Sequence, residues 1–307
     1  MSSTSGPGQV LVLGARSQIG DFLLPALVES GHEVLAVTRQ RSESPPSRGV
    51  IWLHADDSGR ISGCPQLRRA AVVSLLPAPL LAARLEVLIR VGVTRVIAFS
   101  STSVFTKAKS VDSAERRFVQ SLMSAEAEIV AICSRHQVPW TLFRPTLVYS
   151  WGRDRNVTAI GRFVRRFGVF PLLGRGEGLR QPVHAQDLAR ACIDALSNEK
   201  TFSKAYNLAG GTRLAYRSMV EEVFRCLGLP PRFIRIPGWV LRTGIRAARI
   251  VPHFRELSPE LATRMEMDMC FDSSDARRDF GFEPRAFELP GADRSHCQAT
   301  VKGMTSS

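Results

Sequence analysis

Short apolar runs alternate with longer amphipathic stretches through the first half of the chain. Strands are predicted at 10–13, 33–38, 50–53, 70–76, 95–100, 140–143 and, after a gap, 205–208. Helices are predicted around 20–28 and at 81–91, 113–136, 188–196 and 218–227. Uninterrupted apolar runs are typical of parallel strands buried on both faces. Strands that alternate with helices therefore predict an α/β fold, a Rossmann-type doubly wound parallel sheet.

The pattern loosens after about residue 150, where Gly, Arg and Pro become frequent. We expect a dinucleotide-binding Rossmann domain at 9–150, to which 181–212 also contribute, and a smaller interleaved C-terminal substrate lobe at 151–180 and 213–290. Residues 1–8 and 291–307 are expected to be flexible tails. A basic amphipathic helix is predicted at 239–251, where Arg242, Arg246 and Arg249 share a face. It either covers the lobe or rests on an anionic membrane surface or partner.

A glycine-rich turn joins the first strand to the first helix. Gly14 permits a tight turn, and Gly20 permits close packing of the helix on the strand. Ser17 stands between them at a position that is often Gly, so the spacing departs from the usual dinucleotide fingerprint. The positive end of the helix dipole and the free backbone N–H groups of such a turn hold a pyrophosphate. The turn residues 14 and 16–20 are therefore predicted to bind a dinucleotide; the alternative is a turn without a ligand.

The end of the second strand indicates which dinucleotide. NAD-selective sites place an acid there for the ribose 2′-hydroxyl, whereas Arg accommodates the 2′-phosphate of NADP. This chain has Arg39 and Arg41 there and no acid, and Arg16 lies in the turn. NADP(H) is therefore predicted in preference to NAD(H); a solvated basic loop is the alternative.

Composition narrows the class of protein. The chain has 307 residues and a net charge of +13, from 41 Lys+Arg against 28 Asp+Glu. Such an excess suits nucleic acid, an anionic membrane or a phosphorylated small molecule. No Lys/Arg block or zinc-finger spacing accompanies it, so nucleic acid is not expected as a partner. Scattered cysteines, no signal-peptide pattern and no long apolar run predict a soluble cytoplasmic protein without a metal site.

Several motifs occur in an order typical of one family. They are Gly14…Gly20, Asp56, the segment Phe99-Ser100-Ser101-Thr102-Ser103-Val104-Phe105, then Arg144-Pro145-Thr146-Leu147-Val148-Tyr149, Pro182-Val183-His184-Ala185-Gln186-Asp187-Leu188 and Tyr206-Asn207-Leu208-Ala209-Gly210-Gly211. Together they resemble the short-chain dehydrogenase/reductase superfamily in its extended or atypical branch. This branch includes nucleotide-sugar epimerases and dehydratases and an accessory subunit of respiratory complex I.

The resemblance implies roles for individual residues. Ser101 matches a hydroxyl that hydrogen-bonds the substrate, although it can equally cap its own backbone. Asp56 matches an acid that contacts the adenine. Leu75, Leu76 and Pro77 match the chain that passes the cofactor riboses. Arg144-Pro145 match a strand end near the nicotinamide, and Asp187 matches an acid that fixes loops behind the site.

One departure concerns the chemistry itself. The family moves its proton with a Tyr-x-x-x-Lys pair in the helix after Ser101. All three tyrosines of this chain lie outside that helix. Matching Ala127-Glu128 to the Ala-Glu that usually follows the pair puts Gln120 and Ser124 at its two positions, and neither shuttles protons near neutral pH. Lys107, Glu126 and Glu128 are the candidate replacements; solvated side chains are the alternative.

Clustered arginines in the second lobe suggest an anionic ligand. Residues 151–190 carry eight Arg against three acids. Arg175 and Arg180 are predicted to bind an anionic small-molecule substrate, because a guanidinium grips oxyanions with two donors; a solvated basic face is the alternative. Three functions remain open. The first is an NADP-dependent reductase, epimerase or dehydratase with a non-standard proton donor, and the second is an inactive NADP(H)-binding sensor or assembly subunit. The third, a peripheral membrane or nucleic-acid binder, rests on charge alone.

Overall fold

The structure is a computed structural model, and it describes residues 8–39, 48–56, 61–62, 66–106, 110, 112–236 and 265–291. Lys107, Arg41 and the predicted 239–251 helix lie outside the described residues. The strands are β1 Gln9–Leu13, β2 Glu33–Thr38, β3 Val50–Ala55, β4 Ile61–Ser62, β5 Ala70–Ser74, β6 Val93–Phe99, β7 Trp140–Pro145, β8 Val148–Tyr149, β9 Phe170–Leu173, β10 Leu179–Arg180, β11 Val183–His184, β12 Lys204–Leu208, β13 Leu214–Ala215 and β14 Phe233–Ile236. The helices are α1 Gly20–Glu29, α2 Ala78–Arg90, α3 Ser103–Thr106, α4 Ser113–Arg135, α5 Val157–Phe167, α6 Ala185–Leu196, α7 Tyr216–Cys226 and α8 Ser274–Phe280.

A central sheet of eight strands has the order β12-β7-β6-β5-β1-β2-β3-β4. Seven of its strands are parallel, and β4 pairs antiparallel with β3 at one edge. All seven predicted strands occur in this sheet, so the predicted fold class is confirmed. The strand order reverses between β1 and β5: β2 and β3 are added on one side of β1, and β5, β6 and β7 on the other. This reversal leaves a crevice at the carboxyl end of β1. Ligands of doubly wound sheets bind at such a point.

Two apolar layers cover the sheet. One contains α1 and α6, and the other contains α2 and α4. A third apolar cluster gathers α5, α7, β9 and the segment around Phe287. The strand residues of β1 are fully buried, as expected for a central parallel strand covered on both faces.

The helix α5 was not predicted from the sequence, because its segment is rich in arginine and follows a Gly-rich and Arg-rich stretch. Val157, Ile160 and Val164 nevertheless follow a helical period and are buried. Gly161 weakens the helical signal in the middle of the segment. It is required by packing, because a Cβ at Gly161 would lie 2.4 Å from the ring of Trp151.

The described part of the chain contains neither a candidate membrane span nor a candidate metal cluster. No helix there is long and apolar enough to cross a membrane. No group of three or more His, Cys, Asp or Glu side chains there could hold a metal ion.

An acidic residue of α8 fastens that helix to the sheet edge. The Asp279 carboxylate accepts from Lys204 Nζ at 2.8 Å, from the Tyr206 hydroxyl at 2.8 Å and from Arg278 Nε at 3.1 Å. These donors, Lys204 first, lower the pKa of Asp279 to about 2. Because the pKa is lower in the folded state, the stabilisation is present above the unfolded value near 4 and is lost as the pH falls towards 2.

We therefore expect Asp279→Asn to lower the free energy of unfolding at pH 7 by about 1–2 kcal/mol. The difference in free energy from the wild type should shrink between pH 4 and pH 2, because the wild-type Asp279 carboxylate becomes increasingly protonated over that range and loses its charge. Denaturant titrations at several pH values measure this. A difference independent of pH would contradict the assigned role.

Candidate dinucleotide site

The turn between β1 and α1 has the geometry of an anion cradle. Gly14 has a φ of 71°, in the left-handed region that favours glycine. The carbonyl of Gly14 accepts from Ser17 N at 3.0 Å, and Ser17 Oγ accepts from Gly20 N at 3.2 Å. The Ser17 side chain thus satisfies one backbone donor at the start of α1, as a capping residue does.

Close packing requires glycine at position 20 and leaves little room at position 14. A Cβ at Gly20 would lie 1.9 Å from the Ala15 carbonyl oxygen, and a Cβ at Gly14 would lie 3.2 Å from Leu76 N. Leu75 N donates to the carbonyl of Leu13 at 2.9 Å. The structure therefore brings the predicted Leu75–Leu76 segment against the glycine turn, and Pro77 follows as the residue that caps α2.

Unsatisfied polar groups lie at this end of the sheet. The backbone N–H groups of Gln18 and Ile19 donate to no acceptor in the described part of the chain. Three buried oxygens at this end of the sheet also find no hydrogen-bond partner among the described residues: Gln18 Oε1, Ser74 Oγ and Ser100 Oγ. Buried polar groups are rarely left unpaired without a functional reason. The donors, the glycine cradle and the amino end of α1 fit a dinucleotide pyrophosphate.

The end of β2 runs alongside this turn. Ala15 N donates to the Val37 carbonyl at 3.4 Å, so Arg39 follows the strand at the edge of the cradle. The Arg39 side chain is exposed, and its carbonyl hydrogen-bonds His54 Nε2 at 3.0 Å. Asp56, the predicted adenine contact, comes directly after the neighbouring strand β3.

The Ser101 hydroxyl is engaged locally. Its Oγ accepts from Ser103 N at 3.1 Å and donates to Ser103 Oγ at 3.0 Å. These bonds cap the short helix α3, which is the structural alternative named for this residue. They leave the oxygen only partly buried at the end of β6.

A partly buried ion pair joins α4 to the carboxyl end of β7. Arg144 Nε donates to the two Glu126 carboxylate oxygens at 3.0 and 3.1 Å, and Arg144 Nη2 donates to Glu126 Oε2 at 2.5 Å. The guanidinium also lies 5.4 Å from the ring of Phe105. Glu126, a candidate replacement acid, therefore has both of its oxygens bound by a cation. The other candidate on this helix, Glu128, is exposed.

The Arg144–Glu126 pair fixes which face of α4 points towards the site. Residues four apart share a helix face, so Phe118 and Leu122 lie in one row with Glu126. Gln120 and Ser124 lie two positions away on the opposite side, and both are exposed. The structure thus favours Ala125-Glu126 over Ala127-Glu128 as the match to the family's Ala-Glu. On that match, Phe118 and Leu122 would stand at the positions of the Tyr and the Lys.

No tyrosine of the chain is available as a proton shuttle. Tyr149 packs edge-on against His184, Tyr206 donates to Asp279, and Tyr216 lies 5.1 Å from the Arg180 guanidinium. Burial raises the pKa of Tyr149 and of Tyr216 to about 12, and it raises the pKa of Tyr206 as well. A phenol with a raised pKa is a weaker acid, so less of it is ionised and able to accept a proton near neutral pH.

The two arginines predicted to bind the substrate lie in different environments. Arg175 is exposed and pairs with Glu177 at 2.8 Å. Arg180 is buried, and its Nη1 donates to the carbonyls of Leu179 and Met267 at 2.8 Å each. Arg180 therefore fastens the segment after residue 265, whereas Arg175 is free of such a structural task.

Two further residues of the matched motifs have structural partners. Asp187 Oδ1 accepts from Arg285 Nε at 2.8 Å, and Asp187 Oδ2 accepts from Arg285 N at 3.0 Å. His184 Nδ1 accepts from Gln186 N at 3.1 Å and so caps α6. Burial lowers the pKa of His184, which keeps the imidazole neutral at neutral pH.

One residue near the cradle was not recognised from the sequence. Arg153 reaches the turn from the segment after β8, and its Nη2 donates to the Arg16 carbonyl at 3.1 Å. Only its position in the Arg-rich stretch pointed to it, because contacts between distant parts of the chain leave no local pattern.

The chain is similar to known proteins in its sequence and in its fold. The divinyl chlorophyllide a 8-vinyl-reductase of Oryza sativa subsp. indica is 26% identical over 267 residues, which cover 77% of this chain and 63% of the reductase. The epimerase Mth375 of Methanothermobacter thermautotrophicus superposes with a TM-score of 0.71 at 16% identity, over 98% of this chain and 94% of the epimerase. MoeE5 in complex with UDP-glucuronic acid and NAD superposes with a TM-score of 0.67 at 22% identity, over 91% of this chain and 95% of MoeE5.

The structural likenesses establish the fold, and the sequence match establishes the family. The chain spans between 24% and 65% of the length of the curated relatives it matches. The model of the NAD dependent epimerase/dehydratase family matches residues 10–75 and 80–209, which include the glycine turn and six of the seven parallel strands in full. The chain therefore belongs to the NAD dependent epimerase/dehydratase family of the extended short-chain dehydrogenase/reductase superfamily.

Proposed function

We propose that the chain binds NADP(H) at the glycine turn and acts on a small, anionic metabolite without the family's Tyr–Lys pair. The observation that carries the proposal is the cradle itself. Gly14 and Gly20 allow the close approach, and the N–H groups of Gln18 and Ile19 stand at the amino end of α1 without acceptors. The nicotinamide ring, when bound, supplies hydride transfer. The protein then orients the nicotinamide ring and supplies the charges around the bound cofactor.

The preference for NADP(H) rests on the end of β2. Arg39 is exposed beside the cradle, and no acid stands at residues 37–41 to accept from a ribose 2′-hydroxyl. Arg16 in the turn adds a second positive charge. Both features favour a 2′-phosphate over a free hydroxyl.

We expect Arg39→Asp to shift the ratio of NADPH to NADH affinity towards NADH by about tenfold to a hundredfold, since a carboxylate repels the 2′-phosphate and accepts from the hydroxyl. Arg48→Asp makes the same charge change at an exposed position before β3 and should leave the ratio unaltered. Fluorescence titration with both dinucleotides measures this. An equal loss of affinity for both would place Arg39 outside the 2′ subsite.

The anionic character of the substrate rests on Arg175. It stands in a segment, 155–176, that contains five arginines and no acid. Its ion pair with Glu177 is exposed at both ends, so it contributes little and can be exchanged for a ligand. Arg180, five residues further on, instead holds β10 against the segment after residue 265 through its bonds to the Leu179 and Met267 carbonyls.

We expect ligands found in a screen of phosphorylated and carboxylated metabolites, UDP-glucuronic acid included, to bind at least about fivefold more weakly to Arg175→Ala. Their affinity should also fall as the salt concentration rises. Arg190→Ala, which removes an exposed arginine of α6, is the matched control. Affinity that is unchanged in Arg175→Ala and independent of salt would overturn the anionic-substrate proposal.

A second candidate function is cofactor binding without turnover, as in a redox sensor or an assembly subunit. Phe118 and Leu122 on α4 favour it, because both are apolar and Glu126, which shares their row, is held by Arg144. Deuteride transfer from labelled NADPH to any member of a carbonyl and nucleotide-sugar panel would support the enzyme. Tight NADPH binding with no transfer across the panel, together with a partner retained on purification, would support the second candidate.

A further inference from the structure

The second lobe reaches the dinucleotide cradle through one arginine. Arg153 Nε donates to Asp21 Oδ2 at 2.8 Å, and Arg153 Nη2 donates to Asp21 Oδ1 at 3.2 Å and to the Arg16 carbonyl at 3.1 Å. These contacts link positions more than 130 residues apart. One guanidinium therefore bridges the middle of the glycine turn and the first turn of α1.

The backbone that carries Arg153 is held rigidly. The neighbouring Asp154 is buried, and its carboxylate accepts from Asn156 N at 2.8 Å, from Thr158 N at 3.1 Å and from Thr158 Oγ1 at 2.7 Å. Thr158 Oγ1 in turn accepts from Gly152 N at 2.9 Å. The loop thus presents the Arg153 side chain in a defined direction, whereas the side chain itself remains 51% exposed and able to change partners.

The charge of Asp21 is unusual at this place. A carboxylate in the first turn of α1 is favourable for the helix dipole, but it stands where a pyrophosphate would also bring negative charge. A pyrophosphate beside Gln18 and Ile19 would compete with Asp21 for the same guanidinium. A planar guanidinium binds either anion with two parallel hydrogen bonds.

We infer that Arg153 is a phosphate-binding residue of the dinucleotide site and that Asp21 is its partner until the cofactor binds. Exchange of the carboxylate for the pyrophosphate keeps Arg153 on the turn and couples cofactor binding to the position of the second lobe. Asp21 then opposes cofactor binding, because it competes for Arg153 and repels the phosphates. This inference rests on the proposed dinucleotide site.

The inference predicts that two variants which break the same ion pair have opposite effects. Arg153→Gln should weaken NADPH binding about tenfold, since a charged hydrogen-bond donor to the phosphates is lost. Asp21→Asn should strengthen NADPH binding about threefold or more, since the competitor and its charge are removed. Both variants should change NADPH and NADH affinity by the same factor, because the pyrophosphate is common to the two dinucleotides.

Matched controls separate this from a general change in charge. Arg155→Gln removes an exposed arginine from the same loop, and Glu29→Gln removes an exposed acid from the far end of α1. Both should leave the affinity within twofold of the wild type at 0.15 M salt. Glu29 lies at the far end of α1, about 13 Å from Gly20 and beyond one Debye length, and the charge of Arg155 is exposed to screening by salt. Circular dichroism and thermal unfolding establish that each variant is folded.

Calorimetric titration of the full-length chain with NADPH and with NADH distinguishes the outcomes. If Arg153→Gln and Asp21→Asn weaken binding equally, the pair only holds the lobe in place and the inference is wrong. If Arg153→Gln binds as tightly as the wild type, Arg153 does not touch the phosphates and the inference is wrong as well. A wild-type chain that binds neither dinucleotide would instead overturn the proposed function.

Discussion

Replacing Arg95 by methionine is expected to lower the free energy of unfolding by about 3–5 kcal/mol. The Arg95 side chain is buried on β6 between the sheet and α6. Its Nη2 donates to the Ala195 carbonyl at 2.9 Å and to Thr201 Oγ1 at 3.1 Å, and its Nη1 donates to the Val96 carbonyl at 3.0 Å. Its Nε donates to the Leu196 carbonyl at 3.3 Å.

The expected loss of stability is large because several carbonyl and hydroxyl oxygens would lose the hydrogen-bond donor that Arg95 gives them. The carbonyls of Ala195 and Leu196 end α6, where the helix dipole is negative, so these oxygens stabilise the guanidinium. Burial lowers the pKa of Arg95 to about 10, which leaves the guanidinium charged at neutral pH. Methionine fills the volume but satisfies none of these oxygens.

Chemical denaturation of Arg95→Met and of Arg84→Met tests this. Arg84 is half-buried on α2, and its Nη1 donates to the Leu80 carbonyl at 2.8 Å at the helix surface. We expect its replacement to cost less than about 0.5 kcal/mol. A loss below about 1 kcal/mol for Arg95→Met would mean that the buried network contributes little to the fold.

The second large effect concerns the cradle. Gly20→Ala should reduce NADPH affinity by more than about a hundredfold, because the added Cβ would lie 1.9 Å from the Ala15 carbonyl oxygen. The oxygen is backbone, so β1 and α1 must move apart and the N–H groups of Gln18 and Ile19 turn away from the phosphate position. We also expect a stability loss of about 1–3 kcal/mol from overpacking.

Gly291→Ala is the matched control, since a Cβ at Gly291 meets nothing within 4 Å. It should leave affinity and stability unchanged. Thermal unfolding of Gly20→Ala separates lost binding from lost folding. A folded Gly20→Ala variant that binds NADPH like the wild type would show that the turn is structural and holds no dinucleotide.

The sheet could be predicted because a central parallel strand is apolar at every position. β1 and β2 are bounded by Gly14 and Gly31, which mark a tight turn and a helix end, and the predicted bounds agree with the structure. The helix α4 begins where Asp112 accepts from Ala114 N at 2.9 Å, a capping contact that its sequence favours. Turns, helix ends and capping contacts are each determined by residues a few positions apart, so the sequence shows them directly.

The candidate site was less predictable, because its decisive contacts join distant residues. Two Ala-Glu pairs stand two positions apart on α4, and only the contact of Glu126 with Arg144 distinguishes them. Arg175 and Arg180 are alike in the sequence, yet one pairs with Glu177 in solvent and the other is buried against Tyr216. Spacing gives the positions of such residues, but not which of them face each other.

The most direct test of the central claim is calorimetric titration of the wild-type chain with NADPH and NADH, beside Gly14→Asp. Aspartate at Gly14 would adopt a φ of 71° and bring a carboxylate into the anion cradle, so it should abolish binding. The account predicts that NADPH binds more tightly than NADH and that Gly14→Asp binds neither. No binding by the wild type, or equal binding by Gly14→Asp, would contradict it.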